Sequence, residues 1–242
     1  MSAIDTDTIE MLSGVSTNTI TGLLLKIGNM RTRAIRGVRP LNRDRCRFAG
    51  PAFTVRYVPV REDLTESASL ASPTSHLAGT LDNLPRGCVM VFDMMRDETS
   101  GCVGDVLMAR MIAQGVAAVV CDGGMRDTSS IARMAMPVWC AATAPPPSAR
   151  SLMAADVQTM IACGGVMVRP GDIVVGDEDG VAVIPAHLAE EVARKGVEQE
   201  HVEAWIRRKV ERGAKLAGLY PPREESQAAY RAWVAAGSPE EA

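Results

Sequence analysis

The sequence predicts an α/β protein, a layered α/β/β sandwich with a long C-terminal helix. Three observations carry this expectation. Residues 88–121 read as strand, helix and strand: an apolar run over 88–93, apolar positions Val106, Leu107, Met111 and Ile112 at helical spacing, and a second apolar run over 116–121. Such a unit makes its two strands parallel, with a right-handed crossover. From residue 157 onward, short β-type runs follow one another. Residues 186–213 then place Leu188, Val192, Val202, Ile206 and Val210 on or near one helical face.

In chain order, residues 5–28 read as one or two short helices, with Ser16-Thr17 as a cap and Gly28 as a stop. Residues 37–41 and 50–58 read as strands entered through glycine–proline turns. The stretch 63–81 is rich in Ser, Ala and Thr and weakly helical. Gly115 ends the central helix, and Asp122-Gly123-Gly124 reads as a turn. A short helix over 128–135 and a strand over 137–141 follow, then a loop at 144–148 with three successive prolines. The β runs are 157–162, 166–168, 173–176 and 181–184, with Asp177-Glu178-Asp179-Gly180 as a hairpin turn between the last two. Residues 1–217 make one domain, and 218–242 a polar, loosely attached tail. There is no internal repeat.

A hydrophobic content of 47% supports a substantial core, and 4% aromatic residues means that Val, Leu, Ile, Ala and Met build it. With a net charge of −3 and scattered arginines, no nucleic-acid partner is expected. The first residues lack a basic region followed by an apolar core, so no signal peptide is expected. No apolar run reaches membrane-spanning length. The six cysteines are dispersed without a CxxC, as in a reduced, cytoplasmic protein.

Chemistry concentrates between Gly104 and Asp127. The helix should begin at the carboxyl edge of the first strand, and the second strand should end at that edge. Asp105 then stands at the helix start, and Arg126 and Asp127, after twenty intervening residues, stand just past the second strand. Open α/β sheets bind ligands at this edge, and a helix N-terminus offers free N–H groups to a carboxylate. Structural roles remain open for each residue: Asp127 as the N-cap of the following helix, Asp105 as a first-turn acid favoured by the dipole, and Arg126 as a solvated arginine. Only four lysines occur, at 26, 195, 209 and 215. None lies between 37 and 185, so this core offers no Schiff-base lysine, and carbonyl activation falls to a metal Lewis acid. His76, His187 and His201 form no HxxxH pair, Asp177 and Asp179 read as turn residues, and no GxSxG or GxxxxGK[ST] is present.

These residues resemble the family that joins the regulator of RNase E activity A to the 4-hydroxy-4-methyl-2-oxoglutarate and 4-carboxy-4-hydroxy-2-oxoadipate aldolases. The resemblance spans residues 10–213. It rests on Gly37-Val38-Arg39-Pro40-Leu41, Gly50-Pro51-Ala52-Phe53-Thr54-Val55, Gly104-Asp105-Val106-Leu107, Gly123-Gly124-Met125-Arg126-Asp127, and Val168-Arg169-Pro170-Gly171-Asp172 with Asp177-Glu178-Asp179-Gly180-Val181. It implies the family's swivelling-domain-like fold. It implies that Asp127 is the protein ligand of a Mg²⁺ or Mn²⁺ ion and that Arg126 binds the keto-acid oxygen. Backbone N–H groups around Val106 and Leu107, next to Gly104, would hold a pyruvate carboxylate, and Asp105 would handle the proton through a water. The implied function is a class II pyruvate aldolase with oxaloacetate decarboxylase side activity. The rival from another class is a ribonuclease E-binding regulator without catalysis, and Asp105 separates the two. Another 2-keto acid lyase is the third reading.

Family members commonly carry Asp where this chain has Thr21-Gly22, and a bulkier residue where it has Cys102-Val103. The resemblance also implies a homotrimer or hexamer in which a glutamate of the C-terminal helix reaches the neighbouring site. Glu200 is the first choice, with Glu198 and Glu203 as competitors. The 61–80 segment and the tail depart from the family pattern.

Overall fold

Strands of a parallel sheet are buried on both faces and read as continuous apolar runs, and the runs found in the sequence become the centre of the molecule. The computed structural model describes residues 4–63 and 76–238. Its elements are α1 (Thr6–Gly14), α2 (Thr17–Gly28), β1 (Ala34–Ile35), β2 (Arg39–Pro40), β3 (Phe48–Pro59), α3 (His76–Leu81), β4 (Val89–Asp93), α4 (Asp105–Gln114), β5 (Ala118–Met125), α5 (Thr128–Ile131), β6 (Val138–Thr143), β7 (Leu152–Val157), β8 (Ile161–Cys163), β9 (Val166–Val168), β10 (Ile173–Gly176), β11 (Val181–Ile184), α6 (Ala189–Glu211) and α7 (Glu224–Ala235). The weakly helical stretch expected over 63–81 falls largely on 64–75, outside the described residues; α3 lies at its end.

The main sheet runs β1-β11-β10-β3-β4-β5-β6-β2, with β7 also on β3. Strands β3 to β6 are mutually parallel, and the rest pair antiparallel. Strand β3 belongs to both halves: Phe48–Pro51 pairs with β10, and Ala52–Arg56 with β4. The sheet therefore curls over itself. Alternation sorts the side chains: Met90 and Phe92 face α4, while Val89 and Val91 face the β8–β9 hairpin and β10–β11. The outer face of β10–β11 packs through Ile173, Val175, Ala182 and Ile184 against α1, α2 and α6. The layered α/β sandwich with its long C-terminal helix is thus present.

Local signals behave as their chemistry requires. Ser16 Oγ accepts from Thr19 N at 3.2 Å and caps α2, and Asn29 closes it in the left-handed region. Gly115 closes α4 at φ 80°. Asp177 is 2% exposed and accepts from Thr17 N at 2.6 Å and Thr17 Oγ1 at 2.8 Å, so the hairpin residue also anchors the start of α2.

Four expectations need correction. Asp122-Gly123-Gly124 is not a turn: β5 runs through it to Met125, with a register irregularity between Cys121 and Gly124. Glycine serves close approach there, since a Cβ on Gly123 would lie 2.6 Å from Asp97 O. The run 157–162 is split, because Val157 ends β7 and Gln158 turns at φ 54° before β8. The helix after Asp127 stops at Ile131 rather than 135, and the chain goes on in tighter turns, with Arg133 N donating to Ser130 O at 3.1 Å and Met134 N to Ile131 O at 2.9 Å. The described part of the expected tail, 218–238, is not loose but contains α7. Tyr230 and Trp233 of α7 pack on Trp205 of α6, with ring centroids 5.8 and 6.4 Å away.

Candidate active site

The carboxyl edge of β4 and β5 brings Gly104, Asp105, Val106, Leu107, Arg126 and Asp127 together. Asp105 is the first residue of α4, while Arg126 and Asp127 directly follow β5. Asp127 takes the left-handed conformation, φ 49° and ψ 31°, and its side chain does not cap α5. The amides of Ser130 and Ile131 donate instead to the Asp127 main-chain carbonyl, at 2.9 and 3.0 Å. The carboxylate turns back, and its Oδ2 accepts from Asp105 N at 3.3 Å. A Cβ on Gly104 would collide with that oxygen. Glycine here also leaves α4 without a side-chain cap. The first-turn N–H groups of Val106 and Leu107 are then donors for a ligand, because a helix cannot satisfy them internally.

Arg126 is not a solvated surface arginine. Its Nε is buried and has no hydrogen-bond partner among the described residues. An unpaired buried donor of this kind is costly. Arg126 and Gly104 line a cavity of about 410 Å³. Leu107, Tyr57, Leu152 and Met153 line it as well. The loop 144–148 frames it, since Gly101 N donates to Pro146 O at 2.8 Å. Burial pushes the Tyr57 phenol well above its ordinary value, with Cys102 and Cys121 nearby adding to the effect, so it stays protonated.

The loop beneath is held by Asp97. It accepts from Thr99 N (2.9 Å), Thr99 Oγ1 (2.6 Å), Ser100 Oγ (2.6 Å) and Ser151 Oγ (3.0 Å). Burial alone would raise the Asp97 carboxyl, but these hydrogen bonds outweigh it and hold it down at about 2. Asp122 accepts from Met94 N and Gly164 N at 2.7 and 3.0 Å, and burial pushes its carboxyl up. All six cysteines are free and buried.

Among the described residues no group of three or more His, Cys, Asp or Glu stands together to cage a metal. The donors at this edge are the Asp127 and Asp105 carboxylates. Asp127 is exposed and accepts a single long hydrogen bond, which leaves most of its lone pairs free. Hard oxygen donors open to water suit Mg²⁺ or Mn²⁺, which keep several waters and use one or two carboxylates.

Glu200 lies elsewhere, on α6, where its carboxylate accepts from Ser16 N at 3.0 Å and Ser16 Oγ at 2.7 Å of the same chain. Burial raises this carboxyl, but Ser16 and Thr19 bring it below its ordinary value. Glu203 accepts from Gln199 at 2.9 Å. Glu198 is exposed and lines a separate groove between α2 and α6. This part of the cavity lining was missed in the sequence, because β7, which supplies Leu152 and Met153, reads LMAADV, with no clean alternation of apolar and polar residues.

An α/β protein with an acid-flanked, arginine-lined cleft at the carboxyl edge of its parallel strands is the class that this fold and site define. The chain belongs to the RraA-like family, aldolase/RraA, whose model matches residues 13–183. It is 30% identical over 202 residues to a protein of Halalkalibacterium halodurans named "Putative 4-hydroxy-4-methyl-2-oxoglutarate aldolase", covering 83% of this chain and 87% of the relative. It is 27% identical over 179 residues to protein DlpA of Legionella pneumophila, a longer chain of which the match covers 28%. The structure superposes on Streptomyces coelicolor RraAS2, described as an unusual member of the RNase ES inhibitor RraA protein family. The TM-score is 0.77 at 30% identity, over 85% of this chain and 98% of that one.

Proposed function

We propose that the protein is a divalent-metal-dependent carbon–carbon lyase that releases pyruvate from 4-hydroxy-2-keto acids. This is the class that includes 4-hydroxy-4-methyl-2-oxoglutarate and 4-carboxy-4-hydroxy-2-oxoadipate, and oxaloacetate decarboxylation is its side activity. The observation that carries the reading is Arg126 on the wall of a cavity beside the uncapped start of α4, with its buried Nε left unpartnered. In this reading Asp127 would hold Mg²⁺ or Mn²⁺, and Asp105 is left for the proton. The ion, when bound, supplies Lewis-acid polarisation of the keto carbonyl.

The chain's own groups do the rest. The N–H groups of Val106 and Leu107 bind the substrate carboxylate at the helix start. Arg126 meets the charge that develops on the keto oxygen, in a setting pre-organised by burial. Asp105 exchanges the proton through a water. A ribonuclease regulator, the reading favoured by the likeness to RraAS2, needs neither Asp105 nor an unpaired arginine inside a cavity. The subunits assemble as a homotrimer or a dimer of trimers, which light scattering reads directly. Since Ser16 holds Glu200 within its own chain, Glu198 becomes the better α6 candidate to reach a neighbouring site.

The test is pyruvate release from a panel of 4-hydroxy-2-keto acids and oxaloacetate. EDTA should abolish it, and Mg²⁺ or Mn²⁺ should restore it. Borohydride with substrate should trap no adduct. Release that survives chelation, or no release from any member of the panel, overturns the reading.

A further inference from the structure

The segment that leads into α4 is laid along the end of β5. Gly101 bridges to Gly124 in parallel, Cys102 N donates to Gly124 O at 3.0 Å, and Arg126 N donates to Val103 O at 3.1 Å. This pairing seats two thiols against each other. Cys102 Sγ donates to Cys121 Sγ at 3.4 Å. Cys121 Sγ in turn accepts from Gly123 N at 3.4 Å and donates to Gly124 O at 3.8 Å, so the irregular stretch of β5 holds it in place. The two sulfurs differ in reach. Cys102 is 6% exposed and lines the cavity with Gly101, Gly104 and Arg126, whereas Cys121 is 0% exposed. Burial pushes the Cys121 thiol well above its ordinary value, and Cys102 adds to the effect. No step of the proposed lyase reaction uses either thiol.

We infer that Cys102 and Cys121 are an oxidation site, in which hydrogen peroxide converts the pair to a disulfide and that bond disables the adjoining 2-keto acid site. Cys102 Sγ, as thiolate, attacks one peroxide oxygen. The O–O bond breaks, and Cys102 becomes a sulfenic acid. The leaving hydroxide takes the proton that Cys102 gave up and departs as water. Cys121 Sγ then attacks Cys102 Sγ, the S–O bond breaks, and a second hydroxide leaves as water with the Cys121 proton. Two thiols lose two electrons and two protons, and one peroxide is reduced to two waters. Closing the 3.4 Å gap to a bond of about 2 Å brings the sulfurs together by about 1.4 Å. That movement draws the Gly101–Gly104 segment towards β5. A Cβ on Gly101 would collide with the Arg126 side chain, and one on Gly104 with the Asp127 carboxylate, so there is no slack to absorb it. The first-turn donors of α4 and Arg126 therefore shift relative to each other, and a misplacement of about 1 Å costs about 10²-fold. The disulfide stands on the sulfur geometry alone, while its effect on 2-keto acid binding rests on the lyase reading.

Peptide mapping reads the bond without turnover. The reduced full-length protein is treated with hydrogen peroxide, its remaining thiols are alkylated after denaturation, and the digest is mapped by mass spectrometry. Of the six cysteines, Cys102 and Cys121 should be recovered as one linked pair, lighter by two hydrogens, and dithiothreitol should return both as free thiols. Cys121→Ser should give no link and should leave Cys102 as a sulfenic acid that dimedone traps. Titration calorimetry with Mg²⁺-saturated protein should show pyruvate binding at least about tenfold weaker in the oxidised form and restored by dithiothreitol. Both thiols recovered free after treatment overturn the inference, as does a link through Cys140, which stands beside Cys121 in register on β6. A Cys102–Cys121 disulfide with unchanged pyruvate affinity overturns it as well. If the reduced protein binds no 2-keto acid and releases no pyruvate, the lyase reading falls, and the mapping still decides the thiol pair.

Discussion

Two carboxylates, Asp177 and Asp127, meet helix N-termini in this molecule with opposite outcomes. Asp177, at the β10–β11 turn, is buried and takes four donors: Thr17 N, Thr17 Oγ1, Asp179 N and Gly180 N, at 2.6, 2.8, 3.0 and 3.3 Å. Its lone pairs are committed to holding α2 against the sheet. Asp127 meets α4 through one 3.3 Å bond and is exposed, next to an arginine with a buried donor unmatched. The contrast shows that an acid at a helix start is structural where its neighbours satisfy it. It is available for chemistry where glycine and a left-handed backbone keep partners away.

The largest expected effect that sharpens this contrast lies at Asp105. Asp105→Asn should lower turnover by about 10²–10⁴-fold, the range for a positioned acid–base group. Melting temperature and Mn²⁺ affinity should stay unchanged. Near wild-type turnover would place Asp105 with Asp177 as a structural acid. Next is Arg126→Ala, which removes the unmatched donor and should weaken 2-keto acid binding and turnover by about 10²–10³-fold while Mn²⁺ titration stays normal. Asp127→Ala should show the reverse split, with Mn²⁺ affinity lost.

At the other pole, Asp177→Ala should leave turnover intact and lower unfolding free energy by about 1–3 kcal/mol, because Thr17 N is left unsatisfied. Denaturant melts check this, and a loss of activity without a loss of stability would erase the comparison. The smallest effect concerns Asp97. Its folded carboxyl sits at about 2, below an ordinary 3.8, so its contribution is complete above about pH 4 and is lost as pH falls towards 2. The stability advantage of wild type over Asp97→Asn should therefore hold at neutral pH and shrink through that window. An advantage unchanged at pH 2 would contradict the assignment.

The parts legible in sequence were those in which local pattern and tertiary role agree. The β4–α4–β5 unit follows from apolar spacing and a terminating glycine. The gathering of Asp105, Arg126 and Asp127 follows from the parallel topology alone. What failed to show were features decided by distant partners. Asp122-Gly123-Gly124 carries turn chemistry but serves the close approach of Met94 and Asp97. α7 looks polar and detachable until Tyr230 and Trp233 are seen against Trp205. The N-cap reading of Asp127 was locally sound and fails because its side chain faces the neighbouring helix. Burial of the Arg126 Nε leaves no mark in sequence at all.

The left-handed backbone at Asp127 has an evolutionary consequence. Asp and Asn are the side-chain-bearing residues best suited to that conformation, and their codons differ by a single base. A change from Asp to Asn there would keep the turn, the helix start and the hydrogen-bonding shape while deleting the negative charge. In the lyase reading, a single base step would thus remove the carboxylate that holds the ion and leave the fold standing.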